Sequence, residues 1–165
     1  MLLLMFTGCL GLARGDHRAL VAQLRGGSAR AQENAAWLLA NLAENANNHA
    51  AIVSAGAIKP LVALVHGGSP VAREKAAWTL GYLARNEESK VAIAQAGAIE
   101  LLVALVRSGS AEAQEKAAWT LGNLAHNAEN QVAIVSAGAI GPLVALLRGG
   151  SARAREQAVV AEKPH

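Results

Sequence analysis

Apolar residues fall along this chain in blocks of helical length, separated by glycines and by short polar stretches. In the block that follows Ser28, a helical wheel drawn at about 100° per residue gathers the apolar positions on one arc. That arc consists of Ala35, Leu38, Leu39, Leu42 and Ala43. The opposite side is polar, apart from Trp37. No segment alternates apolar and polar residues with the period of two that a half-buried strand needs, so the pattern predicts an all-α fold.

The block pattern returns at an interval of 41 residues, which separates Trp37, Trp78 and Trp119. Glycine, serine and glutamate recur at the same interval, as Gly15, Gly56, Gly97 and Gly138, as Ser28, Ser69, Ser110 and Ser151, and as Glu33, Glu74, Glu115 and Glu156. Because four residue types keep one period, the chain is predicted to be a repeat array in which each unit contacts its neighbours.

The period divides the chain into three complete units and one incomplete unit. The complete units are 15–55, 56–96 and 97–137, and the incomplete unit is 138–165. In the incomplete unit, Ala158-Val159-Val160 stands where the others have Ala-Ala-Trp, which indicates a fragment of a longer array.

Residues 1–14 precede the repeats and form an apolar leader. Its almost entirely apolar part, 1–12, lacks the basic start of a secretory signal and is too short for a membrane-spanning helix. We interpret the leader as the remnant of a preceding helix. A weak signal peptide and a start inside a longer gene are the alternatives.

Glycines mark the first boundary inside each unit. Gly56 and its equivalents end a short helix, such as the one predicted over 90–96, and permit a sharp turn into a second helix. In the second unit that next helix is predicted over 58–65.

A second boundary precedes the long helix. Gly67 and Gly68 break the second helix, and Ser69 can cap the free amides of a third that runs to about Asn86. Pro70 suits the first helical position, because its missing amide proton costs nothing there.

A unit of about forty residues with a short, a medium and a long helix resembles the armadillo repeat, and the resemblance covers residues 15–165. Tetratricopeptide repeats are shorter, and HEAT repeats typically lack the glycine-broken first helix. The resemblance implies a right-handed armadillo-type α-solenoid of about three and a half three-helix repeats. It also implies a protein–protein interaction scaffold that binds an extended peptide in its concave groove.

One stripe on the polar side of each long helix is the candidate peptide-binding surface. Its residues are Glu33, Trp37, Asn41 and Glu44 in the first unit, Glu74, Trp78, Tyr82 and Arg85 in the second, and Glu115, Trp119, Asn123 and His126 in the third. An indole packs on aliphatic stems and cations, while a nearby amide hydrogen-bonds a peptide backbone. The alternative is that each indole packs on the neighbouring repeat.

Two Trp–Asn pairs are similar to those with which the importin-α family holds nuclear localisation signals. They are Trp37 with Asn41 and Trp119 with Asn123. Trp78 is followed by Tyr82 and departs from that pattern. Lys75 and Lys116 lie beside the stripe, whereas a site for strongly basic signals should be acidic. A nuclear import adaptor therefore stands second to a general scaffold.

Composition limits the remaining function classes. Apolar residues make up 53% of the chain and aromatic residues 3%, so the interior must consist mainly of Ala, Leu, Val and Ile. The net charge is +3 without a basic stripe, so neither nucleic acid nor a membrane is an expected partner. The single cysteine, Cys9, excludes an intramolecular disulfide and favours a reducing location, cytoplasmic or nuclear.

The candidates for catalysis and metal binding are weak. The histidines, His17, His49, His66, His126 and His165, have no metal-binding spacing and are expected at the surface. One glutamate recurs in every unit, whereas general acid–base catalysis needs a pair in one pocket. We therefore expect no enzyme, no cofactor and no metal site.

Two further alternatives remain from other function classes. The array could stack end to end through open terminal helices, and self-association is expected because Leu143, Leu146 and Leu147 lack part of their cover. It could also be the substrate-recruiting arm of a ubiquitin ligase.

Overall fold

The computed structural model describes residues 14–149. Within this part the chain forms ten α-helices and no strand: α1 Arg14–Gly26, α2 Ala29–Ala43, α3 His49–Ser54, α4 Ile58–Gly67, α5 Pro70–Leu83, α6 Glu87–Gln95, α7 Ala98–Ser108, α8 Ala111–Leu124, α9 Ala128–Ser136 and α10 Ile140–Gly149. One 3₁₀ turn, Ala46–Asn48, precedes α3. Residues 1–13 of the leader, which include Cys9, lie outside the described residues. His165 and the segment that replaces Ala-Ala-Trp lie outside them as well.

The helices follow the predicted order of short, medium and long. The long helices α2, α5 and α8 pack side by side in one row. The medium helices α1, α4, α7 and α10 form a second row, and each of the first three packs on the long helix that follows it. The chain is therefore an α-solenoid of armadillo type, as the resemblance of its repeat implies.

The sharp turn between short and medium helices depends on glycine. Gly56, Gly97 and Gly138 have positive φ angles of 79°, 81° and 76°, a region that residues with a Cβ rarely adopt. The short and medium helices on either side of them diverge by 88°, 80° and 82°. The sequence prediction of a sharp turn at these glycines is confirmed.

The long helices begin where the serines predict. Ser69 accepts a hydrogen bond from the amide of Ala72 at 3.2 Å, and Pro70 takes the first helical position. The end of α5 was predicted about three residues too late, because Asn86 caps the following helix by accepting from Ser89 N. For the same reason α6 begins at Glu87 and not at residue 90.

The core consists of aliphatic side chains at matching positions of successive units. Fully enclosed examples are Leu39, Leu80 and Leu121 on the long helices, Ile52 and Ile93 on the short ones, and Leu61, Leu102 and Leu143 on the medium ones. Ala36, Ala77 and Ala118 are also completely buried. Because alanine has little volume at these positions, the long helices can approach each other closely.

Two expectations about individual residues are wrong. His17 and His49 are buried, whereas His66 and His126 are exposed as predicted. His49 is enclosed because its Nε2 lies 2.7 Å from the carbonyl oxygen of Ala43 at the end of α2. His17 is buried because its place in the unit is the core position that Ile58 and Ile99 fill.

The medium helix of the last unit is better covered than predicted. Leu143 and Leu146 are buried and Leu147 is half-buried, since α10 packs against α7. The exposed apolar side chains near this end of the described chain are instead Val132 and Val135 of the third unit and Ile140 of the last unit.

In residues 14–149, no single helix has the length and apolar composition needed to cross a membrane. Three bent pairs of short and medium helices satisfy those two criteria only when both members are counted together.

Candidate functional site

The predicted stripe lies along the row of long helices, with Trp37 on α2, Trp78 on α5 and Trp119 on α8. We call the side chains of Trp37, Asn41, Trp78, Tyr82, Trp119 and Asn123 the Trp ladder. The indole of Trp37 is 50% exposed, and Asn41 is exposed one turn later. Trp78, Tyr82, Trp119 and Asn123 are half-buried. The first rung is therefore the most open one.

Tyr82 joins the second and third rungs. Its ring centroid lies 4.9 Å from that of Trp119 in an edge-on arrangement, and 5.8 Å from that of Trp78. Its hydroxyl donates to Oε1 of Glu44 at 3.4 Å, which links the second unit to the first. Although Tyr82 departs from the Trp–Asn pattern, it makes the aromatic surface continuous.

Trp119 packs on the preceding repeat. A Cβ atom added to Gly81 would collide with two atoms of the indole ring and would lie 2.7 Å from Oγ1 of Thr120. Thr120 also donates to the carbonyl oxygen of Ala77 at 2.7 Å. The absence of a side chain at Gly81 lets the indole lie directly on α5, so close packing explains this glycine within the helix.

Asn123 also contacts the preceding repeat. Its Nδ2 donates to the carbonyl oxygen of Gly81 at 2.9 Å. Gly81 belongs to the last turn of α5, where carbonyl oxygens lack an intrahelical partner. Asn123 therefore closes the end of a neighbouring helix, whereas Asn41 on the first rung lies at the surface.

The acidic residues of the stripe have different surroundings. Glu33 accepts a short hydrogen bond from the hydroxyl of Ser69, the cap of the next long helix. Glu74 pairs with Lys75 at 2.8 Å. Glu115 is half-buried on α8. At least one of these carboxylates therefore connects two repeats.

The two remaining stripe residues lie beyond the helix ends. Arg85 follows Leu83, the last residue of α5, and borders a cleft between α3 and α6. His126 is exposed in the corresponding place after α8. Both mark the edge of the stripe and not its centre.

Two lysines bracket the second rung. Nζ of Lys116 lies 4.4 Å from the centroid of the Trp78 ring, and Nζ of Lys75 lies 5.2 Å from it. Both distances are within the range of cation–π interactions. The sequence placed these lysines beside the stripe, but it gave no sign that Lys116 reaches across to the preceding repeat.

A carboxyl with a lowered pKa lies away from the ladder, at Glu87 on the short helix α6. Hydrogen bonds from Lys90 and then from Asn127, both 2.7 Å long, hold the pKa of this carboxyl below its usual value. The stabilisation that this implies is complete above the unfolded pKa and is lost as the pH falls through the folded pKa. The bond from Asn127 ties the third unit to the second.

Among residues 14–149, no three His, Cys, Asp or Glu side chains are grouped so as to hold a metal ion. The stripe contains indoles, amides and charged groups, which can bind a ligand through packing, hydrogen bonds and charge.

Family models match most of the repeat region. The model described as Armadillo/beta-catenin-like repeat matches residues 45–85 and 86–126, and a HEAT-like repeat model matches 111–161. Each armadillo match covers one period and starts at the short helix, while the units defined above start at the glycine. A comparison with curated proteins found no match.

Solved structures of designed proteins are similar to the chain. A designed armadillo repeat protein in complex with the peptide (KR)4 is 33% identical with a TM-score of 0.82, and the match covers 89% of this chain and 63% of that one. A computationally designed armadillo repeat protein for modular peptide recognition is 32% identical with a TM-score of 0.83, with the same coverages of 89% and 63%. An engineered protein is 35% identical with a TM-score of 0.82, covering 88% and 60%.

The chain thus spans about six tenths of the length of these designed proteins. The family models, the shared fold and the 41-residue period all indicate the same three-helix repeat. The chain belongs to the armadillo-repeat family.

Proposed function

We propose that the chain is a non-catalytic binding module whose Trp ladder holds an extended polypeptide. The observation that carries the proposal is the alignment of three indoles on the row of long helices, with the rings of Trp78, Tyr82 and Trp119 in contact with each other. Aromatic side chains grouped in this way are typical of a binding surface, where they supply much of the affinity. The exposed amide of Asn41, one turn after Trp37, can bond a peptide backbone.

The similar designed proteins support a peptide ligand. One of them is in complex with (KR)4, and another was designed for modular peptide recognition. With long helices about 8 to 10 Å apart and an extended chain rising about 3.3 Å per residue, each unit spans roughly two to three ligand residues. A short linear motif therefore fits the ladder better than a folded domain, and its location along the concave side of the array is part of the proposal.

Recognition of strongly basic signals, as in nuclear import, is the second candidate. The Trp–Asn pairs on the first and third rungs favour it. The positions of Lys75 and Lys116 over Trp78 oppose it, because they add positive charge to the middle of the ladder. A general peptide scaffold is therefore the preferred function.

The test is a scan of an immobilised peptide array, followed by titration of the best binders against Trp37→Ala. Because Trp37 is half-exposed, the substitution should leave the melting temperature within a few degrees of the original and weaken peptide binding about tenfold or more. Val71→Ala is the control, since Val71 is 48% exposed on α5 outside the ladder. Equal affinities of the two variants for every peptide would contradict the proposal.

A further inference from the structure

Trp78 differs from Trp37 in what covers its ring. Lys116 on α8 extends to the preceding repeat and places its ammonium 4.4 Å from the ring centroid of Trp78. Lys75, on the same helix as Trp78, lies on the ring at 5.2 Å and is paired with Glu74. Among the described residues, no ammonium or guanidinium lies over the ring of Trp37.

The difference has two causes. Lys75 stands 38 residues after Trp37, as Lys116 stands 38 residues after Trp78, but Lys75 lies over Trp78 on its own helix and pairs with Glu74. On the first long helix, the place equivalent to Lys75 is taken by Asn34. Asn34 is exposed and carries no charge. The chain therefore contains both versions of the rung, one next to lysine and one next to a neutral amide.

We infer that Lys116 is an internal occupant of the cation site on Trp78 and determines the charge pattern of the ligand. This inference rests on the proposed function. A basic ligand side chain stacks on Trp37, where the ring is open, and is rejected at Trp78, where Lys116 covers the ring and repels it. The favoured partner is an extended peptide with an isolated basic residue over the first unit and uncharged residues over the second.

Charge near the first rung agrees with this pattern. Glu33 and Glu44 share the stripe with Trp37. Their carboxylates hydrogen-bond to Ser69 and Tyr82, which are neutral partners, so their negative charge is retained. At the second rung, the carboxylate of Glu74 is neutralised by Lys75 at 2.8 Å. A cationic side chain of the ligand is thus attracted by the charges at the first rung and not by those at the second.

The test replaces Lys116 by the residue that the first unit has in its place. Lys116→Asn and the control Lys59→Asn remove the same charge, and Lys59 is exposed on α4, away from the ladder. Two synthetic peptides serve as probes: (KR)4, and a peptide of equal length with one Lys-Arg pair among Ser and Ala residues. Dissociation constants are measured by fluorescence anisotropy at low and at moderate salt concentration.

Lys116→Asn should bind (KR)4 about tenfold more tightly than the original protein, and the gain should shrink as salt rises. The peptide with one Lys-Arg pair should bind both proteins with affinities within about twofold of each other, because its basic pair lies on the first rung. Lys59→Asn should change neither affinity by more than about twofold. An unchanged or weaker affinity of Lys116→Asn for (KR)4, or an equal gain in Lys59→Asn, would overturn the inference.

A second readout does not depend on peptide binding. In a background with Trp37→Phe and Trp119→Phe, the fluorescence arises from Trp78, and caesium ions report how accessible its ring is to cations. Lys116→Asn should raise quenching by caesium at least about twofold, and more than it raises quenching by neutral acrylamide. Unchanged caesium quenching would overturn the internal occupancy.

The two readouts separate the inference from the proposed function. If no peptide of the array and neither synthetic peptide binds any variant, the proposed function fails and the specificity role of Lys116 fails with it. Caesium quenching would still decide in that case whether Lys116 covers Trp78. If peptides bind but Lys116→Asn changes neither readout, the proposed function stands and the inference fails.

Discussion

At the scale of single residues, contacts between repeats determine what a ladder residue can do. Trp37 and Trp119 are equivalent in the repeat, yet Trp37 is half-exposed while Trp119 lies on Gly81 and the edge of Tyr82. The alternative that an indole packs on its neighbour therefore describes Trp119 better than Trp37. Trp119 lies on a residue 38 positions earlier in the sequence, and no residue of the described chain stands at that distance before Trp37.

Gly81→Ala should destabilise the protein although alanine is the better helix former. The gain in helix propensity is about 1 kcal/mol, but the new methyl group would collide with the indole of Trp119 and with Thr120. Overpacking of this kind costs about 1 to 3 kcal/mol, so a net loss is expected in chemical denaturation.

Gly141→Ala is the matched control. Nothing lies within 4 Å of a Cβ built there, and Lys59 carries a side chain at the equivalent position before Pro60. This variant should be as stable as the original or more stable by up to about 1 kcal/mol. Equal effects of the two substitutions would contradict the packing of Trp119 on Gly81.

His17→Ile should stabilise the first unit. His17 is buried, and neither ring nitrogen has a hydrogen-bond partner in the described part of the chain. Ile58 and Ile99 fill the same core position in the next two units. Removing an unsatisfied buried polar group should raise the free energy of unfolding by about 1 to 2 kcal/mol, measured by urea denaturation.

His49→Ala provides the contrast to this prediction. His49 is also buried, but its Nε2 is bonded to the carbonyl oxygen of Ala43. Its loss should destabilise by about 1 to 3 kcal/mol, because a hydrogen bond and packing are removed together. A loss of stability in His17→Ile would show that the His17 ring is accommodated better than its contacts indicate.

At the scale of helices, local sequence signals predicted most of the fold. Gly56, Ser69 and Pro70 act through their own backbone conformation or the nearest amides, and these effects can be recognised in a sequence. The end of α5 was misplaced because Asn86 is compatible with a helix but caps the next one instead. The sequence of one unit does not show whether Asn86 extends the helix before it or caps the helix after it.

The candidate site was less predictable than the helices. The wheel placed the three tryptophans on one stripe, because that depends only on the period of a helix. Contacts between repeats, such as Lys116 over Trp78 and Asn123 on Gly81, depend on the offset between neighbouring long helices. That offset is set by packing of small residues such as Ala77 and Ala118, and no spacing within the sequence encodes it directly.

Ser69→Ala should cost more stability than Ser110→Ala. Both serines cap a long helix at 3.2 Å from a backbone amide, and loss of such a cap costs about 1 kcal/mol. Ser69 also donates to Glu33 of the preceding unit, so its loss removes a contact between repeats. We expect an additional cost of about 1 kcal/mol in chemical denaturation.

A double-mutant cycle tests the contact itself. Ser69→Ala and Glu33→Ala should be coupled by about 0.5 to 1 kcal/mol, whereas Ser110→Ala and Glu74→Ala should be nearly additive. Glu74 pairs with Lys75, so its loss should leave the Ser110 cap intact. Additive effects of Ser69→Ala and Glu33→Ala would show that Glu33 does not stabilise the contact between the repeats. They would favour a role of Glu33 in ligand binding on the stripe alone.

At the scale of the whole molecule, the end of the described array carries exposed apolar side chains at positions that are covered in the earlier units. Ile140 is 51% exposed, whereas Ile58 and Ile99 at the same position are 8% and 3% exposed. Val135 on the short helix is exposed as well, while Val53 and Ala94 are half-buried. These side chains lie where one repeat packs on the next, which favours end-to-end association of the array.

The protein should therefore self-associate as its concentration rises, and Ile140→Lys should shift it towards the monomer. A charged side chain at that position would have to lose its hydration in the contact, which weakens the association. Val71→Glu is the control, because Val71 is also exposed and the third unit has Glu112 in its place. Sedimentation equilibrium over a wide concentration range measures both variants. A monomer at every concentration, or equal effects of the two variants, would exclude this surface as the contact.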